Sequence, residues 1–441
     1  MTAKKTYFIT SVVPGADVHT VFLSSIETFC KKKSAKLLLL PTPPSVSKHD
    51  TIDDALLGHP SLVLKDVKLN SKIRISSIPV SPTSVDPVAG LQRQSQKDGS
   101  FIFSSPKQRL KLVPNGHIQL PHALMTPGAI TLPYYNTSKR AGRVSEEDHV
   151  IGGIIVEIEN DSIYHYRQVQ ADKKGHFTDL GVKYTPSGTV NVLAEAIIPG
   201  DIHAGETDPG VKAVVLELTK LLKPNHLILH DLFNGLSVNH HIREMTITRE
   251  NLGKHFFLDE ELKTTYHELA DYAKVAKNVV VVRSNHDLWI DDYLEEGIYT
   301  REPYNSKLGR ELATSMGSFQ IPLEAGVRRL DKPKALKNVR FLKIDEDFKL
   351  TPKRIQCGAH GHVGANGARG TTAAMEKAYG LSISGHTHTP EILRGAWVVG
   401  TSTYLQLGYN KGASSWLQTL CILYQDGSRQ LINVINGKYK A

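Results

Sequence analysis

Between residues 194 and 388, five short apolar runs each stop at a polar loop carrying histidine or aspartate, and this repeated pattern limits the folds open to the chain. Residues 194–199 lead into GDIHAG, 227–229 into HDLFNG, 279–282 into RSNHD, 355–358 into AHGH and 381–384 into GHTHTP. Runs of three to six apolar residues bounded by such loops read as buried strands, and the text at 260–277 between them reads as a helix. Strands alternating with helices predict a layered α/β (α+β) architecture. In such layers ligand sites gather at the carboxyl ends of the strands, so the five polar loops are expected to meet in one cleft.

The residue types in those loops point to metal chemistry. In Asp201-Ile202-His203 an extended backbone would send Asp and His to one side and Ile202 to the other. The same reasoning applies to His386-Thr387-His388, where Gly385 permits a tight turn. A ligand set of oxygen and nitrogen without sulfur suits Mn²⁺, Fe²⁺ or Zn²⁺ better than Ca²⁺ or a thiolate-held zinc. Asp231 directly follows a short apolar run and is the natural bridging carboxylate. Two ions about 3.5–4 Å apart would clamp a phosphate during in-line displacement. Asn285 would give a carbonyl oxygen to one ion, leaving His286 to protonate the leaving oxygen, with Asp287 orienting its ring. In AHGH either His360 or His362 could be the ligand, and His360 is preferred because it ends the strand.

The ordered blocks GDIHAG, HDLFNG, SNHD, AHGH and GHTH resemble the calcineurin-like metallophosphoesterase superfamily over about residues 195–410. That resemblance implies a double β-sandwich flanked by helices. It also implies one ion on Asp201, His203, Asp231 and His388, a second on Asp231, Asn285, His360 and His386, and His286 as proton donor. Two positions depart from the family pattern, since His230 and Ser284 stand where glycine is usual. The phrases SNHDLWIDDYL and AHGHVGANGARG, with a long basic N-terminal extension, further resemble the pre-early DNases of T5-type bacteriophages. This implies a Mn²⁺-dependent nuclease, with Fe²⁺, Zn²⁺ or Mg²⁺ as alternatives, degrading host DNA in the cytoplasm of an infected bacterium as a homo-oligomer. The alternative within the superfamily is a small-molecule phosphodiesterase or phosphomonoesterase. A binding scaffold on the same fold would show eroded ligands, and no ligand type is missing.

The remainder of the chain bounds this reading. With 441 residues, 40% hydrophobic and 22% charged, it has the composition of an ordinary globular protein of two to three domains. Apolar runs are too short to span a membrane, and three cysteines without a CxxC pair suggest neither a disulfide framework nor a thiolate site, which fits the cytoplasm. Residues 1–190 hold 23 basic against 16 acidic side chains, most of the formal excess of nine, which favours a polyanion such as DNA as partner. This part reads as a mixed α/β accessory domain that positions substrate or assembles subunits, and 191–441 reads as the catalytic domain. It opens as βαβ over residues 6–40, passes through Pro- and Ser-rich text to about 136, and forms a hairpin turning at Asn160-Asp161. Candidate substrate contacts are Arg369 in the glycine-rich run 364–370, and Lys107, Arg109 and Lys111, whose period-two spacing puts them on one strand face. His240 and His241 are weaker phosphate-contact candidates.

Overall fold

The structure, a computed structural model, describes residues 4–116, 119–239, 257–318, 320–408 and 410–441; His240 and His241 lie outside the described residues. Three of the five apolar runs become the strands Ala194–Ile198, His226–Leu229 and Val279–Val281, which lie parallel in that order with Val339–Phe341 beside them. The antiparallel hairpin Thr419–Tyr424 and Arg429–Asn433 pairs with the free edge of Ala194–Ile198 and completes a six-stranded sheet. Ala396–Val398 joins the other sheet, and the hairpin satisfies the backbone groups that the 194–198 strand would otherwise leave unpaired.

The other two runs, Ile355–Gln356 and Ser382–Ser384, belong to a ten-stranded sheet that continues through Ala396–Val398 and Glu391–Leu393. Next to Glu391–Leu393 comes Gln108–Val113, with Ile392 opposite Leu110, then His122–Pro127, Ser100–Phe103, Ile73–Ser76 and Val67–Lys68. Residues on either side of position 190 therefore share one sheet.

Alternation along the six-stranded sheet sets the layers. Ile197, Leu227, Leu229, Val279 and Val281 pack on one face with side chains of the helices Pro209–Leu222, Leu258–Val275, Asn285–Glu295 and Ser306–Gly317. Ala196, Ile198, Ile228 and Val280 face the other way, against Ile355, Ile383, Ile392 and Trp397 of the ten-stranded sheet. Both faces are covered, which is why these strands are apolar throughout. The result is the expected α/β architecture of packed sheets with flanking helices.

The N-terminal part forms its own four-stranded sheet. Lys5–Val12, helix Thr20–Lys33 and Lys36–Pro41 make the βαβ unit, and the hairpin Gly152–Ile158 and Tyr164–Gln170 adds on the other side. Ile9, Ile154 and Val156 enter the same core as Ile198 and Ile383. Phe8, Phe22, Phe29, Phe177 and Tyr184 fill the opposite face. No helix among the described residues is long and apolar enough to cross a membrane.

The basic stripe expected to touch DNA is largely inside this architecture. Lys107 is buried and pairs with Asp148 at 3.1 Å. Arg109 is buried between Asp86 at 3.2 Å and Glu391 at 2.7 Å, and donates to the carbonyls of Leu110 and Ile392. Lys111 is half-buried on the same strand. Lys107 precedes the strand Gln108–Val113 and Arg109 lies within it, and with their carboxylate partners both act as internal ion pairs and not as surface contacts.

Candidate metal centre

The loops leaving the strand ends are stitched to one another through their backbones. Ile202, His203 and Ala204 donate to the carbonyls of His230, Asp231 and Leu232, so GDIHAG and HDLFNG run side by side. Gly385 donates to the His360 carbonyl, which joins the two later blocks, and the His386 N–H donates to Asp201 Oδ2, which ties them to the first. Separate stretches of the chain thereby converge through pairings that follow from the sheet order.

The turn that aims each ligand differs from the sequence expectation. His203, Asp231, His386 and His388 all have positive φ, at 45°, 46°, 77° and 56°. Simple alternation in an extended backbone is therefore not what places Asp and His together; a left-handed residue at the strand end swings each side chain inward. For residues with a Cβ this conformation costs roughly 1–2 kcal/mol, though Asp and His tolerate it better than branched residues. Strain at four clustered polar positions is the kind that persists at functional sites. Ile202 does enter the core, as expected. Gly385 is needed less for the turn than for space, since a Cβ there would lie 2.1 Å from Asp201 Oδ1.

Asp201, His203, Asp231 and His388 are all buried and offer ligand atoms within 4.8 Å of one another. His203 Nε2 and His388 Nε2 stand 3.0 Å apart, His388 Nε2 lies 3.2 Å from Asp201 Oδ2, and His203 Nε2 lies 3.6 Å from Asp231 Oδ2. That same Asp231 oxygen is 3.1 Å from His360 Nε2, so its carboxylate stands between two groups of imidazoles. His360 rather than His362 makes this contact; His362 is half-buried, with its ring 5.4 Å from that of His360 and 6.0 Å from that of His386. The His386 ring is 5.3 Å from His360, and its backbone N–H donates to Asp201 Oδ2 at 2.7 Å.

The donor set fits divalent ions. Asp201 Oδ1, Asp231 Oδ1 and Asn285 Oδ1 are buried acceptors without a hydrogen-bond donor, an arrangement costly without a cation. Burial would raise both aspartates, yet the surrounding imidazoles hold Asp201 below the ordinary carboxylate range and Asp231 well below it. Burial lowers His203 to about 3, keeping its nitrogen free to coordinate. His360 goes the other way: burial opposes protonation, but the neighbouring carboxylates of Asp231 and Asp201 raise it to about 9.

His286 and Asp287 open the helix Asn285–Glu295, and their roles separate. Ser284 and Asp287 form a capping box, with Ser284 Oγ accepting the Asp287 N–H at 3.2 Å and Asp287 Oδ2 accepting the Ser284 N–H at 3.1 Å. Asp287 thus secures the helix end and does not orient His286, contrary to expectation. Burial pushes its carboxyl up to about 6, against the pull of Arg283. The His286 ring is instead fixed by the Asn234 carbonyl, which accepts from Nδ1 at 2.6 Å. Trp289 lies against it with ring centres 4.0 Å apart, and the His203 ring is 4.5 Å away.

Sequence reasoning passed over Asn234 and Trp289 and gave His230 no role. His230 is fully buried with Nδ1 3.4 Å from His360 Nδ1, directly behind that imidazole. An ionisable residue directly before Asp231 was the available signal. Trp416 likewise packs edge-on against His388, at 4.2 Å. Arg369 is exposed on the loop beyond His362, held by a hydrogen bond from Gly370 N to the His362 carbonyl. A cavity of about 250 Å³ beside the centre is lined by Arg283, Lys343, His360, Gly361 and His362.

No protein-family model matches the chain. Crystal structures of Vps29 from Chaetomium thermophilum and from Entamoeba histolytica align with 12% and 13% identity over 42% of this chain and 95% and 98% of theirs, each at a TM-score of 0.23. The sequence as a whole is similar to Protein A1 of Escherichia phage T5, 29% identical over 476 aligned positions that take in 99% of this chain and 83% of that protein.

Proposed function

We propose that the chain is a divalent-metal nuclease that hydrolyses phosphodiester bonds of DNA. The observation that supports phosphoester chemistry is the buried convergence of Asp201, His203, Asp231 and His388, with His360 on the far side of Asp231. In this reading those four residues hold one ion, and Asp231, Asn285, His360 and His386 hold the second. Mn²⁺ suits the set best, with Fe²⁺, Zn²⁺ and Mg²⁺ as alternatives. Bound ions would neutralise the non-bridging phosphate oxygens and make water nucleophilic at neutral pH. The protein's own part is to place a proton at the leaving oxygen. Because a carbonyl can only accept, Asn234 fixes a proton on His286 Nδ1, so any proton that His286 gives to the leaving oxygen has to come from Nε2.

DNA as substrate is supported by the resemblance of the SNHDLWIDDYL and AHGHVGANGARG segments to phage nucleases, by the basic excess, and by similarity to a phage protein along nearly the whole chain. Arg369, exposed on its loop, would meet a phosphate. Action in the bacterial cytoplasm and homo-oligomeric assembly belong to the same proposal. The cavity beside His360 and His362 favours a second reading, a small phosphoester held in that pocket.

Purified protein incubated with plasmid, linear and single-stranded DNA, with Mn²⁺, Mg²⁺ or chelator, separates the readings. Metal-dependent cleavage that falls at least about 100-fold in His286→Ala and Asp201→Asn is expected. Survival of every DNA form while small phosphoesters are cleaved would leave the second reading standing. Undiminished cleavage by both variants would remove the site assignment.

A further inference from the structure

Glu261 lies in the first turn of helix Leu258–Val275, buried among Phe233, Val238, Leu258 and Leu262 of the helix-side core. A carboxylate there needs strong partners, and it finds them in one place: Oε1 accepts the Leu236 N–H at 2.8 Å and Oε2 the Ser237 N–H at 2.9 Å. Both partners belong to the loop that follows Asp231. Within the loop Val238 N donates to Gly235 O at 3.2 Å. Two residues before Leu236 is Asn234, whose carbonyl accepts from His286 Nδ1. From the other side Trp289 closes on the loop: Gly235 has φ +76°, and a Cβ there would come within 2.7 Å of the indole. The loop is therefore held between a buried carboxylate and the ring that packs on His286.

We infer that Glu261 is a positioning residue for the proton donor: by anchoring residues 235–237 it holds the Asn234 carbonyl where it locks His286 with its proton on Nδ1, leaving Nε2 to deliver the other. This rests on the phosphoesterase reading for the word donor, but the lock itself does not. An anchor that served stability alone would lower the melting temperature without changing the state of the His286 ring.

Two measurements on the full chain test it. The first is the side-chain ¹⁵N spectrum of histidine-labelled, zinc-loaded protein, with His286 assigned by its loss in His286→Ala. Wild type is expected to show His286 Nδ1 protonated throughout, and Glu261→Gln, whose amide turns a donor toward the loop N–H groups, a fraction in which Nδ1 is bare. An unchanged His286 signal in Glu261→Gln overturns the inference whether or not the protein cleaves DNA. The second compares DNA, whose alkoxide leaving group needs a proton, with bis(4-nitrophenyl) phosphate, whose leaving group needs little. Glu261→Gln is expected to lose at least about tenfold more rate on DNA than on the nitrophenyl ester, in the direction of His286→Ala, and to add little in the double variant. Equal losses on both substrates overturn the link to proton donation. Should Glu261→Gln not fold, Glu261→Asp, which keeps the charge and shortens the reach, is read in both measurements by the same criteria.

Discussion

Gly385 shows how closely single atoms are specified around the centre. Its missing Cβ makes room for Asp201 Oδ1, and its N–H ties the GHTH loop to His360. Gly385→Ala would force the carboxylate or the His386–His388 loop aside by more than an ångström. Metal affinity is expected to fall on the order of 10–100-fold, as when outer-shell support of a ligand is lost, while circular dichroism stays that of the wild type. Titration calorimetry with Mn²⁺ checks this; wild-type affinity in the variant would show that Asp201 is not a ligand. Arg109 makes the opposite case. Arg109→Ala leaves Asp86 and Glu391 without their shared cation, at a cost on the order of 3–5 kcal/mol in chemical denaturation, and should leave the salt dependence of DNA binding unchanged. Residue identities at the metal centre were legible in the sequence because few side chains coordinate metals. Their aim was not legible, since left-handed φ at His203, Asp231, His386 and His388 depends on how neighbouring loops pair.

At the scale of elements, the helix Asn285–Glu295 opens on one short motif that has two readings. Read for metals, SNHD yields Asn285 and His286; read for helix starts, Ser-x-x-Asp is a capping box, and the structure shows the box. The second signal was present in the sequence and was overshadowed by the first, which is how Asp287 came to be paired with His286. Ser284→Ala removes the acceptor of the Asp287 N–H and should cost about 1 kcal/mol, seen as a lower melting temperature. Because the cap also fixes where Asn285 and His286 leave the strand, cleavage should fall along with stability. Full activity at a lowered melting temperature would separate the cap from the site. Strands were easier to read than this helix start, since uninterrupted apolar runs such as 279–282 admit few alternatives once both faces are buried. Which sheet the hairpin at 419–433 joins was not legible, because pairing partners far apart in sequence leave no local trace.

Across the whole molecule, the sequence suggests a division near residue 190 through its change from Pro- and Ser-rich text to regular α/β alternation. Composition of loops, however, says nothing about which strands share hydrogen bonds. Gln108–Val113 pairs with Glu391–Leu393, Arg109 spans the junction to Glu391 and to the Ile392 carbonyl, and Leu110, Leu112 and Met125 pack into the same core as Ile383, Ile392 and Trp397. Removing residues 1–190 would expose the edge of Glu391–Leu393 and strip that core of one wall, while the half-buried Glu391 would lose its cation. An exposed, apolar strand edge of this kind templates aggregation. Residues 191–441 expressed alone are accordingly expected to be insoluble or to lack dispersed amide resonances, and to be recovered in folded form when residues 1–190 are co-expressed as a separate chain, because the shared sheet can re-form between the pieces. A soluble 191–441 fragment with native-like spectra and undiminished metal binding would mean that the ten-stranded sheet is an extension of the centre's scaffold and not part of it.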